Sequence, residues 1–206
     1  MHGFRYVSDC LYCERAAVDA LARRHGTPLF VYSEQTLTDH YERLKSALGG
    51  LDPLICYAMK ANSSLAVLRT FVGLGAGFDL VSGGELERAL AAGADPGKCV
   101  FAGVGKSEDE ILLALRKGVY ALNVESEPEL ERIDRLAGRL GRRAPVAVRV
   151  NPGVDAHTHA KITTGTYENK FGIAFEQVSA MYQRASRTFR PETVIDHCAA
   201  NGHELP

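Results

Sequence analysis

Short apolar, β-branched runs recur every 21–26 residues or so, with an amphipathic stretch between each pair, and this alternation limits the possible folds more than any other feature. The runs at 28–32, 54–59, 78–81, 99–102, 121–124 and 146–150 have strand length and composition, and 193–196 is a weaker seventh. Helical periodicity fills 33–48, 64–74, 84–92, 107–117, 126–140 and 175–185. Ser107 with Glu110, and Ser126 with Glu129, have the spacing of a capping box, in which hydroxyl and carboxylate satisfy the orphan amides of a first helical turn. Gly93, Gly118 and Gly141 stand just past helical runs, where a left-handed residue ends a helix. Strand, loop, helix and loop fit within each interval, so consecutive strands should join by right-handed crossovers into a parallel sheet. Regular succession of this kind favours an α/β fold of the (β/α) TIM-barrel type over a doubly wound sheet. Six or seven strands of the eight are present, which makes the expected barrel an incomplete one.

Composition excludes several other classes. With 206 residues, 46% hydrophobic and 24% charged, the chain has the profile of one globular domain with a sizeable core. Lys and Arg number 24 against 25 Asp and Glu, a formal charge of -1, so no global cationic field attracts nucleic acid or an acidic membrane. No apolar run approaches the roughly 18 residues that span a bilayer, and the first residues lack a signal-peptide core, so a cytoplasmic protein is expected. Five cysteines at irregular spacing read as reduced thiols. Cys10 and Cys13 spell C-x-x-C, but without a second pair they read as small apolar side chains near a terminal strand.

Most motif-like stretches fail on inspection. Gly103-Val104-Gly105-Lys106-Ser107 follows a strand and opens a helix, yet a phosphate loop would need glycine where Val100 stands. Gly73-Leu74-Gly75-Ala76-Gly77 precedes a strand and reads as a turn. Asp155, His157 and His159 alternate in a polar segment, 151–169, long enough to suggest function, but no fourth ligand lies near and no metal site is expected. Lys60 is different. It ends the apolar run 54–59, where a barrel carries its chemistry. Two readings of it stand open: a solvated strand-end lysine, or an amine kept neutral by a low-dielectric mouth and able to form a Schiff base with an aldehyde.

Several separate stretches then agree in order. Leu11-Tyr12-Cys13-Glu14, Gly26-Thr27-Pro28-Leu29-Phe30-Val31-Tyr32-Ser33, Tyr57-Ala58-Met59-Lys60-Ala61-Asn62, Phe78-Asp79-Leu80-Val81-Ser82-Gly83-Gly84-Glu85, Arg149-Val150-Asn151-Pro152, Thr164-Gly165 and Lys170-Phe171-Gly172 resemble the diaminopimelate decarboxylases, from the N-terminus to about Arg184. The His157-Thr158-His159, Thr164-Gly165 and Lys170-Phe171-Gly172 series points to that branch over the ornithine and arginine relatives. The resemblance implies an alanine-racemase-like barrel that holds pyridoxal 5'-phosphate, followed by a β-rich domain, in a homodimer. It also implies the reaction: release of CO2 from the D-configured centre of meso-2,6-diaminopimelate to give L-lysine. Lys60 would be the catalytic residue and hold the cofactor. Ala58, Asp79, Glu85 and Arg149 would line the cofactor site, and residues 1–25 would join the β domain, with 26–206 forming the partial barrel.

The family's ring-stacking histidine lies in an aspartate–cysteine–histidine–isoleucine–glycine–serine stretch. The nearest counterpart is His197 in Ile195-Asp196-His197-Cys198-Ala199-Ala200-Asn201, where the order is scrambled. The family's glycine-rich phosphate loop and its pyridine-pairing glutamate have no counterpart before Pro206. The resemblance therefore covers roughly the first half of such an enzyme, as in a fragment, a truncated frame or a degenerate gene. The alternatives are a non-enzymatic single-barrel carrier of pyridoxal phosphate, which should lack the Leu-Tyr-Cys-Glu opening, and an inactive barrel fragment.

Overall fold

The computed structural model describes residues 2–151 and 172–188. A small antiparallel sheet comes first, made of β1 (Phe4–Val7), β2 (Cys10–Cys13) and β3 (Ala16–Ala17), followed by the short helix α1 (Val18–His25). Its turns need left-handed backbone at Ser8, Asp9 and Glu14. Glu14 fastens this sheet to the next helix, α2 (Glu34–Ala47): its carboxylate accepts from the Ser33 hydroxyl at 2.8 Å and the Gln35 amide at 3.0 Å. These bonds, the Gln35 amide foremost, hold the Glu14 carboxyl below the usual range. Beyond a terminal strand near Cys10 and Cys13, neither this sheet nor α1 was legible in the sequence, because strands of two to four residues and a helix of eight carry too little periodicity to register.

The main sheet has five parallel strands in strict sequence order: β4 (Cys56–Ala58), β5 (Gly77–Leu80), β6 (Cys99–Phe101), β7 (Ala121–Val124) and β8 (Val146–Val148). The helices that return the chain are α3 (Leu65–Gly73), α4 (Gly83–Ala92), α5 (Glu108–Lys117) and α6 (Glu127–Arg139), each within a residue or two of its expected span. Alternation along the strands divides two faces. Phe78, Leu80, Cys99, Phe101, Leu122 and Val124 are fully buried in the core beneath the helices, which includes Leu68, Leu86, Ile111, Ile133 and Leu136. Ala58, Asp79, Val100, Ala121, Asn123 and Ala147 point the other way, into the barrel lumen. At full burial, a large apolar side chain of this core contributes roughly 1.5–3 kcal/mol.

Three expectations need correction. Residues 28–32 form no strand: the segment has no ladder partner among the described residues, and Phe30 and Tyr32 are 82% and 56% exposed. Apolar composition alone does not make a strand, since a strand needs a ladder partner and this segment pairs with none of the described strands, not even the edge strand β4. The run 146–150 is interrupted at Arg149, after which β9 (Val150–Asn151) leaves the main sheet to pair in parallel with β10 (Ile173–Ala174), ahead of α7 (Phe175–Thr188). Finally, only one capping box is complete. Ser107 and Glu110 exchange both bonds, whereas Ser126 accepts from the Glu129 amide at 3.3 Å while the Glu129 carboxylate turns inward to other partners. The strand expected at 193–196 lies outside the described residues, as does most of the 151–169 segment.

Candidate active site

Lys60 sits two residues past β4, in a single 3₁₀ turn, Met59–Ala61, held from both sides. Met59 is 1% exposed and anchors the turn in the core. The Tyr57 ring stacks on Phe71 at 4.1 Å, and its hydroxyl reaches past the turn to donate to the Asn62 carbonyl at 3.1 Å. Asn62 in turn accepts the Ser64 amide at the start of α3. A packed aromatic and a buried thioether thus fix the backbone on which the amine stands, while Lys60 itself is exposed. The enclosed, low-dielectric mouth expected around it is not supplied by the described residues, because β4 is an edge strand among them.

Across the ladder from Ala58 stands Asp79, half-buried on the same lumen face. Gly77, in the layer below, is a packing requirement: a Cβ there would fall within contact of the Lys98 carbonyl oxygen and 2.8 Å from the Cys56 sulfur. Glu85 lies in the first turn of α4 and turns back to accept the Val81 amide at 2.7 Å, so it shapes the turn that follows β5. Arg149 stands just past β8 and gives its Nη1 proton to Glu125 at 2.9 Å. Its carbonyl accepts from Ile173 at 2.8 Å, and Gly172, at φ +105, passes so close that a Cβ would be 2.9 Å from that oxygen. The glycine of Lys170-Phe171-Gly172 therefore lets the chain cross over Arg149.

Lys60, Ala58, Asp79, Glu85 and Arg149 thus all occupy the C-terminal end of the parallel sheet, the end that carries chemistry in barrels of this type. His197 lies outside the described residues, as do His157 and His159. Sequence reading missed three further charged residues at this end: Lys106, Glu125 and Glu129 are 3%, 7% and 7% exposed and lie within a buried network. The lysine was considered for a phosphate loop, but its Nζ donates inward, to the Gly103 and Asn123 carbonyls at 2.7 Å each and to Glu129 at 3.0 Å. No sequence signal pointed to Glu129, whose spacing from Ser126 fits a helix cap while its carboxylate binds Lys106 and the Glu125 amide instead.

The donor set suits an anionic aromatic aldehyde. It offers a primary amine at a strand end, a carboxylate one strand away, a guanidinium further round, and small lumen side chains, Ala58, Ala121 and Ala147, that leave room for a planar ring. Two concavities flank the sheet, one at each end. One of about 300 Å³ borders Val119 and Pro145 at the opposite end of the sheet, and one of about 460 Å³ lies between Glu125 and Met181. Neither is lined by Lys60.

Residues 34–190 match the family described as the pyridoxal-binding domain of pyridoxal-dependent decarboxylases, so the chain belongs to that family. Among curated relatives it is similar to the diaminopimelate decarboxylase of Pseudomonas aeruginosa, 50% identical over 198 residues, which are 96% of this chain and 48% of that protein. It is likewise similar to the diaminopimelate decarboxylase of Neisseria meningitidis, 51% identical over 86% of this chain and 43% of the relative. Among solved structures, diaminopimelate decarboxylase from Helicobacter pylori complexed with L-lysine superposes with a TM-score of 0.78 at 42% identity, covering 83% of this chain and 43% of that one. The chain spans less than half the length of these relatives.

Proposed function

We propose that this chain is the N-terminal, cofactor-holding portion of a diaminopimelate decarboxylase, a carboxy-lyase that converts meso-2,6-diaminopimelate to L-lysine. The observation that carries the reading is the position of Lys60, an exposed amine on a turn whose backbone Met59 and Tyr57 fix at the C-terminal end of β4, with Asp79 across the ladder from Ala58. When bound, pyridoxal phosphate supplies the electron sink that accepts the electron pair left by departing CO2. Lys60 holds the cofactor through its amine, and Asp79 orients that amine from the neighbouring strand. Glu85 keeps the β5–α4 turn clear of the ring by binding the Val81 amide. Arg149 faces the lumen with a cation for an oxyanion, and His197 is the candidate to stack on the ring. Residues 1–25 join a β domain and 26–206 belong to the barrel. The whole enzyme is a cytoplasmic homodimer in this reading; among the described residues, no helix is long and apolar enough to cross a membrane.

A chimera tests this. The chain replaces the matching N-terminal portion of the Pseudomonas aeruginosa relative, and CO2 and lysine are followed from meso-diaminopimelate. Turnover that disappears in Lys60→Ala is the expected result. An active chimera indifferent to that substitution, or borohydride trapping of cofactor on other lysines alone, would overturn the assignment.

A further inference from the structure

Arg149 is held by a continuous set of buried charges that runs under the ends of three strands. Glu125 has a side chain only 2% exposed, and both of its oxygens are committed. One accepts the Gly103 amide at 3.1 Å and the other the Arg149 guanidinium at 2.9 Å. The Glu125 amide donates to Glu129 at 2.8 Å, and the second Glu129 oxygen meets Lys106 Nζ at 3.0 Å. Lys106 completes the frame through the Gly103 and Asn123 carbonyls. The carboxylate that grips Arg149 is therefore fixed at its own backbone, at one oxygen, and at the charge beneath it.

Among the described residues, two carboxylates and two cations make the set neutral, which is what burial requires. Stability alone is a poor reason to build it, since replacing buried ion pairs by apolar side chains of similar volume is often neutral or stabilising. Position supplies another reason. Side-chain exposure is 1% for Lys106, 8% for Glu129 and 2% for Glu125, but 28% for Arg149, so the network opens toward solvent at its guanidinium. Arg149 directly follows β8, its amide still donating to the Val124 carbonyl of β7 at 2.9 Å, four strand steps from β4. In a barrel that closes on eight strands, four steps are half the circumference, which would set Arg149 across the mouth from Lys60.

We infer that Glu125 is a positioning residue that sets the Arg149 guanidinium for an oxyanion of the ligand held at Lys60, with the Lys106–Glu129 pair as its fixed base. This rests on the cofactor reading above. A guanidinium is a planar fork whose value for an oxyanion depends on orientation, and a carboxylate that cannot rotate sets that orientation.

The test titrates the chain with pyridoxal phosphate, and separately with pyridoxal, reading the Lys60 adduct by absorbance and by borohydride trapping with peptide mapping. Arg149→Met and Glu125→Gln should each weaken adduct formation on the order of tenfold, the size of a charge-assisted hydrogen bond. Glu125→Gln should add nothing in an Arg149→Met background, because it acts through Arg149. Glu125→Asp keeps the charge, and with it the fold, but withdraws the carboxylate by one methylene, and should show the same loss. A loss confined to pyridoxal phosphate assigns the phosphate as the oxyanion, and a loss with both ligands assigns a ring oxygen; both support the inference. Equal losses from Glu125→Gln in the two backgrounds, or a lowered unfolding midpoint with unchanged binding in Glu125→Gln and Glu125→Asp, would overturn it. If the wild-type chain forms no more adduct than Lys60→Ala, the cofactor reading has failed and the inference falls with it.

Discussion

Replacing Lys106 by methionine removes one charge from the neutral buried set while keeping the length of the side chain and its packing near the Phe101 ring, 6.0 Å from Nζ. Three bonds go, two to strand-end carbonyls and one to Glu129. Glu129, its side chain 8% exposed, keeps only the Glu125 amide and its own carboxylate charge. Stranding one member of a buried pair costs about 3–5 kcal/mol, a large part of the roughly 5–15 kcal/mol that holds a domain folded. The double variant Lys106→Met/Glu129→Gln leaves no stranded charge and still accepts the Glu125 amide, so its cost should fall to the unsatisfied carbonyls, about 1–3 kcal/mol. Urea unfolding of wild type, both singles and the double measures this, with the denaturant slope checked for constancy. The expected result is a double variant about 2 kcal/mol more stable than Lys106→Met. A Lys106→Met chain within about 1 kcal/mol of wild type, or a double equal to the sum of the singles, would refute the reasoning.

Other outcomes follow from the same geometry. The Glu110 carboxyl lies below its ordinary 4.5, first because the Gly83 amide donates to it at 2.8 Å and then because of the Ser107 amide. A lowered folded-state value gives stability that is present above 4.5 and lost as pH falls through the folded value, so the stability gap between wild type and Glu110→Gln should close on acidification; a gap independent of pH would count against it. Burial pushes the Cys56 and Cys99 thiols up to about 11 and about 12, so exposed Cys10 should react with iodoacetamide at neutral pH well before either, as peptide mass spectrometry would read. Gly77→Ala should destabilise the chain by several kcal/mol, on the order of 3, since the clash is with backbone; a soluble variant with an unchanged unfolding midpoint would contradict that.

The parallel sheet and its helices were legible because each unit repeats one pattern and is punctuated by a glycine or a serine cap, as at Ser107 and Gly118. Lys60 stands at the end of an apolar run, but the run alone leaves a solvated lysine open, and it is the resemblance carried by Tyr57-Ala58-Met59-Lys60-Ala61-Asn62 that singles it out. What the sequence hid depends on distant pairing. Whether 28–32 becomes a strand is decided by an edge that must come from elsewhere in the chain, not by its own residues. Lys106, Glu125 and Glu129 are spread over 24 positions and look like ordinary surface charges until β6, β7 and α6 bring them together. Glu129 was misread because its spacing from Ser126 satisfies a local rule that a tertiary bond overrides.

The order of the main sheet has a consequence for how the protein is made. Every ladder joins a strand to the one synthesised just before it, so no pairing waits for a distant segment to leave the ribosome. Loop-closure entropy grows only slowly with loop length, and here each closure spans one helix and its turns. Contact order within the sheet is low for a parallel architecture, where non-local pairing usually slows folding. The nascent chain can add one strand and one helix at a time, each new unit covering the edge left by the last. During synthesis, the growing edge is therefore always the newest strand, with β4 the edge at the other side, and the growing edge is covered by the next unit to emerge.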